Sequence, residues 1–325
     1  MDCKQSFGAL RRLGAFVIGV AAVFGFMATP AFAEYPERDI RMIIPFGAGG
    51  GSDTLARTIL SVIDEMDLVS VNILPENRKG GSGAKGYTYM AKQEGNPHYI
   101  ATVSVSFFTT PLLGGSQVSY RDFTPVASIA QSPYVLVVPS SKGITSLDEL
   151  KKADRLTTGT VGVVSDAALL AKLMAKALKV QIDAVPFDGE GEVIASLLGG
   201  HVDIGFLNPS EALSQIAAGS LIPLAISSDV RSAAFPTVPT FKELGHDIVH
   251  TQLRGIVMPG NVPPEAVAYW EDVLKKVATS DAWKTKYIDR FHNIPSFAGA
   301  ADYAKAVEMT NNRYESLMKE LGIIK

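Results

Sequence analysis

The chain has 325 residues, with 30 Lys/Arg against 33 Asp/Glu for a formal net charge of −3, 47% hydrophobic and 19% charged residues, and a single cysteine. That apolar content excludes a disordered chain, and the slight acidic excess argues against a nucleic-acid binder, which normally shows a basic excess or stripe. One cysteine, Cys3, excludes an intramolecular disulfide framework.

Residues 1–33 read as a secretory signal rather than as fold. Lys4, Arg11 and Arg12 precede an apolar run from Leu13 to Met27, which leads to the small-x-small site Ala31-Phe32-Ala33. The run is shorter than the roughly 20 residues that span a bilayer, and no later stretch is apolar for long enough, so no membrane anchor is expected. Gly14 stands where a twin-arginine signal would carry an apolar residue, which favours ordinary unfolded export to a bacterial periplasm. The mature chain would begin near Glu34. Losing Asp2, Lys4, Arg11 and Arg12 leaves 27 Lys/Arg against 32 Asp/Glu, and Cys3 goes too. About 290 residues have room for two domains with cores. An acidic protein that binds an anion must do so with local donors.

The first predicted strand, Arg41 to Ile44, offers such donors where it ends. It runs through Phe46-Gly47-Ala48-Gly49-Gly50-Gly51 directly into a helix, Ser52 to Ile63. Without Cβ atoms at four positions the backbone can turn sharply and aim several N–H groups at one point, and the helix start adds unpaired donors and partial positive charge. A carboxylate or phosphate suits that turn, although glycine also serves plain strand-to-helix packing. Ser52 either donates to a ligand or caps the helix. Asp53 is favoured by the helix dipole and would repel an anion, which suits it to orienting the turn.

Further strands are expected at Val71 to Leu74, Tyr99 to Val103, Tyr134 to Val138, Leu156 to Gly159, Ala184 to Phe187, Val202 to Phe206, Ile222 to Ser227 and Gly255 to Met258. Helices are expected at Ser165 to Leu178, Gly191 to Leu198, Ser210 to Ala218, Glu265 to Val277 and Ala300 to Leu321, with Ser146 as the N-cap of another. This alternation predicts an α/β fold, mostly parallel sheets flanked by helices. Ser104 and Ser106 follow the third strand, where their hydroxyls can reach a ligand. Thr160 and Ser165 bracket a second loop of small residues and are candidates to close over it, with a helix N-cap as the alternative for Ser165. Asp188 and Asn208 follow strands directly; Asn208 both donates and accepts, while Asp188 suits an amino-bearing ligand. Arg254 can clamp a second carboxylate bidentately or form an exposed ion pair. The histidines, at 98, 201, 246, 250 and 292, show no HxxxH spacing within an expected helix and no nearby cysteine, so neither a metal nor any other cofactor is expected.

Breaks at Ser132-Pro133 and His250-Thr251-Gln252 predict one lobe of residues 132–251 and another of 34–131 plus 252–325. Two crossings between lobes give a hinged cleft, and ligands of open α/β sheets bind beyond the carboxyl ends of strands.

One family unites these features. Tyr35-Pro36, Pro45-Phe46-x-Ala48-Gly49-Gly50-Gly51-x-Asp53-x-x-Ala56-Arg57, Asn77-Arg78 ahead of Gly80-Gly81, Pro186-Phe187-x-Gly189, Leu197 to Asp203, Asn208-Pro209-Ser210-Glu211, Ala218-Gly219, Arg231, Pro236 to Thr240 and Arg254-Gly255 occur in order over nearly all of the mature chain. In this the chain resembles the solute-binding proteins of tripartite tricarboxylate transporters, the TctC or Bug family of periplasmic binding proteins. Leu253 stands where a tricarboxylate-type subgroup carries tryptophan. The resemblance implies a type II periplasmic-binding fold that closes on a small organic carboxylate and hands it to membrane permease subunits. It also marks Asp53 and the Ser104–Ser106 loop as site-forming. A receptor that opens and docks needs no partner copy, so a monomer is expected.

The alternative is a secreted enzyme on the same two-lobed fold acting on a small anionic substrate. The residues offer it little: the turn ends Gly51-Ser52-Asp53 without the lysine of a P-loop, and Gly81-Ser82-Gly83 is out of frame for a hydrolase elbow. A non-enzymatic receptor is expected.

Overall fold

In the computed structural model, which describes residues 35–161, 165–187, 190–320 and 322–325, the chain builds two sheets. The expected signal segment and Asp188 lie outside the described residues.

In chain order the first part contains β1 (Ile40–Ile44), α1 (Gly51–Glu65), β2 (Ile73–Asn77), α2 (Ala84–Ala91), β3 (Tyr99–Thr102), α3 (Ser106–Leu112) and β4 (Phe123–Pro133). Next come β5 (Val135–Pro139), α4 (Leu147–Leu150), β6 (Arg155–Val161), α5 (Asp166–Leu178), β7 (Gln181–Phe187), α6 (Glu190–Leu198), β8 (Ile204–Leu207), α7 (Pro209–Ala217) and β9 (Leu221–Ile226). The chain then returns through β10 (Thr251–Pro259), α8 (Pro264–Ala278), α9 (Asp281–Trp283), a π-helical turn at Lys284–Asp289, β11 (Ile294–Ala298) and α10 (Ala300–Glu320). One sheet has the order β11-β4-β10-β3-β1-β2 and the other β7-β6-β8-β5-β9.

Both faces of the first sheet are covered at its centre, which is why β1 and β3 read as mainly apolar runs. Ile40, Met42 and Ile44 of β1 pack with Leu55, Ile59 and Val62 of α1 and with Trp270, Leu274 and Val277 of α8. Ile43 points the other way, into a cluster with Tyr87, Phe107, Tyr303 and Tyr314. Removing one such fully buried aliphatic side chain from water is worth about 1.5–3 kcal/mol. Ser146 and Ser165 cap α4 and α5, their hydroxyls accepting from the Glu149 and Ala168 N–H groups. No helix among the described residues is long and apolar enough to cross a membrane.

The fold is α/β, but the sheets are mixed rather than mostly parallel. Among the described residues, β1 pairs in parallel with β2 and β3, and β6 with β7 and β8. Antiparallel pairs join β10 to β3 and β4, β11 to β4, and β5 to β8 and β9. The helical crossovers supply the parallel pairs. The antiparallel ones belong mainly to β4, β5 and β10, the strands flanking the two places where the chain passes between sheets.

Those passages are stitched together by Ser227. Its Oγ accepts from the Tyr134 N–H at 2.9 Å and donates to the His250 carbonyl at 2.6 Å, while its carbonyl accepts from the His250 N–H.

Candidate functional site

β1 ends in a turn whose residues Ala48 to Gly51 are exposed, and α1 starts at Gly51 with Gly50 as its N-cap and no side chain capping it. Gly49 holds φ at +84°, a left-handed conformation open to glycine. Asp53 is buried beneath this turn. Its carboxylate accepts from the Gly49 N–H at 2.9 Å, from Arg57 Nε at 2.9 Å and from Asn77 Nδ2 at 3.0 Å. Burial pushes the Asp53 carboxyl up, and the hydrogen bonds from Arg57, Gly49 and Asn77 outweigh it, holding the group below the usual carboxylate range. Asp53 thus braces the turn from within. The same Asn77 amide donates to the Phe46 carbonyl, so the entry to the turn is fixed as well.

The first amides of α1 have no acceptor within the helix. The helix start borders a cleft of about 310 Å³ lined by Gly49, Gly51, Thr54 and Ser132, by Asn208, Ser210 and Glu211 at the start of α7, and by Arg254, Tyr287, Arg290, Phe291 and Asn293. The volume lies at the small end of the roughly 300–1,000 Å³ typical of small-molecule sites.

Arg254 sits at the centre of this arrangement. It is 6% exposed, and its guanidinium lies against Gly51, where a Cβ would stand 3.3 Å from Nη2. Nε donates to Ser132 Oγ at 2.9 Å, and that hydroxyl donates to Asn293 Oδ1 at 2.5 Å. With Nε tied down, the outer edge of the fork is oriented along the turn. Glu211 lies nearby: burial pushes its carboxyl up to about 7, against a smaller opposing effect of the Arg254 charge. Burial also raises the Tyr287 phenol, which keeps it neutral.

Of the residues expected from sequence, Gly49, Asn208 and Arg254 line this cleft, and Gly50 and Ser52 adjoin it in the turn, with Ser52 itself buried. Phe46, Gly47 and Ala48 form the turn's entry. Asn208 donates through Nδ2 to the Pro133 carbonyl at 3.0 Å, tying the α7 start to the end of β4. Ser104 and Ser106 are not brought to the cleft. They are buried with their hydroxyls 3.1 Å apart, Ser104 lies 3.5 Å from the Tyr87 hydroxyl, and Ser106 borders a crevice with no room for a ligand. Thr160 is buried within β6, and the Ser165 hydroxyl is engaged as the α5 cap.

Sequence reasoning passed over Ser132, Glu211, Tyr287, Arg290 and Asn293 as site residues. Glu211 stood within a recognised motif, Asn208 to Glu211, from which only Asn208 was taken as a candidate. The stretch from Tyr287 to Asn293 carries no motif; its only signal is the π-helical turn, a distortion frequent at functional sites.

A family model, tripartite tricarboxylate transporter family receptor, matches residues 62–323. Over 320 residues the chain is 27% identical to a UPF0065 protein in the gbd 5' region of Cupriavidus necator, covering 95% of this chain and 96% of the relative. It is 31% identical over 265 residues to protein BugT of Bordetella pertussis, covering 77% of this chain and 80% of BugT. Among solved structures, a TctC solute binding protein from Polaromonas superposes with a TM-score of 0.75 at 26% identity, covering 88% of this chain and 99% of the other. The R. palustris protein Rpa4515 with adipate gives a TM-score of 0.79 at 26% identity, covering 89% and 98%.

Proposed function

The chain belongs to the tripartite tricarboxylate transporter receptor family, and from that premise we propose that it is a periplasmic receptor that captures a small organic carboxylate and delivers it to the permease subunits of such a transporter. One ligand carboxylate rests on the amides of the Gly50 to Ser52 turn and on the Arg254 fork, directly or through ordered water. Residues 34–131 plus 252–325 form one lobe and 132–251 the other. Their closure brings Asn208 and the α7 start onto the ligand and excludes water, which strengthens each charge-assisted contact. The closed surface is what the permease reads.

The observation that carries this reading is a buried guanidinium laid against a helix-initiating glycine turn at the edge of a small cleft. The adipate held by the R. palustris relative supports the ligand class. Titration calorimetry with mono-, di- and tricarboxylates, adipate among them, tests it. At least one carboxylate is expected to bind, and Arg254→Ala should weaken it by about 2 kcal/mol, roughly thirtyfold in Kd. Binding of nucleotides or neutral sugars alone would overturn the reading.

A further inference from the structure

Glu211 is the one feature of the cleft that a plain anion site does not call for. It stands in the first turn of α7, beside Ser210 in the lining of the cleft that it shares with Arg254, and its Oε2 is buried with no hydrogen-bond partner among the described residues. A buried, unpaired carboxyl oxygen costs about 1–3 kcal/mol or more, so it is kept only where something repays it. The other ionisable groups lining the cleft are Arg254 from β10, Tyr287 from the π-helical turn and Arg290 directly after it. Neither the rest of α7 nor β9, the strand against which it packs, carries another ionisable side chain.

We propose that Glu211 sets the specificity of this cleft by donating its carboxyl proton to the second carboxylate of a dicarboxylate ligand. The inference rests on the carboxylate-receptor reading above. Two guanidiniums favour two carboxylates and oppose a ligand ammonium, which leaves the neutral acid as the form of Glu211 that can face an anion. In that form Glu211 supplies an O–H donor, and a carboxyl–carboxylate pair shares the proton in a short, charge-assisted bond. Burial already populates the neutral form near neutral pH. A second carboxylate favours it further, so the receptor takes up a proton from solvent as it binds, and a monocarboxylate gains nothing from Glu211.

The test is calorimetric titration of the full chain with adipate from pH 6.5 to 8.5, in phosphate and in Tris, whose ionisation enthalpies differ. Wild type should take up close to one proton per adipate near pH 8, and its affinity should fall about tenfold per unit above pH 7. Glu211→Gln, whose amide also donates, should bind adipate with a flat pH profile and no proton uptake. An infrared difference spectrum of the wild-type complex should show a protonated-carboxyl band that Glu211→Gln lacks, a signature no structural role would produce. Adipate bound with a flat pH profile and no proton uptake by wild type overturns the role of Glu211 while leaving the carboxylate receptor standing. Failure to bind any carboxylate across this pH range overturns both.

Discussion

A Cβ at residue 51 would lie 3.3 Å from Arg254 Nη2 and 3.4 Å from Nη1, tighter than ordinary van der Waals contact, whereas one at residue 50 would meet only the Gly47 carbonyl at 3.8 Å. The two glycines therefore have different physical roles. Gly50 leaves the helix start uncovered, and Gly51 lets a guanidinium rest on it. Gly51→Val should displace the Arg254 fork and weaken carboxylate binding by at least about tenfold, with little change in thermal stability because the position is exposed. Calorimetry beside thermal unfolding checks this; unaltered affinity would detach Arg254 from the ligand. The glycines were legible in the sequence because their spacing has a local meaning. The guanidinium's approach to one of them was not, since it joins residues about 200 positions apart.

The start of α5 shows what an element contributes. Asp166, 1% exposed, accepts from His250 Nε2 at 2.5 Å, from the Tyr314 hydroxyl of α10 at 2.8 Å and from the Tyr134 hydroxyl at 2.9 Å. These partners join α5 to α10 and to both passages between the sheets. Burial alone would raise the Asp166 carboxyl; the charge and hydrogen bond of His250 and the two phenols outweigh it and hold the group below the usual carboxylate range. A carboxyl depressed in the folded state stabilises fully above its unfolded value, near 4, and that contribution is lost as pH falls from there through the folded value. Asp166→Asn should thus cost about 3–5 kcal/mol at pH 7, and thermal unfolding should show the gap to wild type narrowing below about pH 4. A gap that stays constant would mean the charge does not matter. The α5 helix was readable from its Ser165 cap and apolar spacing, and β1 from its apolar run. By contrast β4, with Pro125, Ser128 and Gln131 and register shifts opposite β10, lacks the alternation that marks a strand, and β11 is short and begins Ile294-Pro295. Both are held by their antiparallel neighbours, which no local pattern reveals.

Over the whole molecule, the rhythm of strands and helices was enough to anticipate an α/β architecture, and the order of many short motifs was enough to anticipate the family. The direction of the central strands was not, because β4 and β10 are specified by each other across more than a hundred residues. The cleft was half legible for the same reason: the glycine turn and Asn208 follow strands and Arg254 stands in one, while Tyr287, Arg290 and Asn293 reach it through a long excursion past α8. The proposed closure requires contacts to the ligand from both sides of the cleft. A crystal structure grown with saturating adipate asks for that most directly: one carboxylate should lie within hydrogen-bond distance of the Gly50 to Ser52 amides and the Arg254 guanidinium, with α7 residues closing from the other side. Adipate seated anywhere else, or bound with the turn empty, would contradict it.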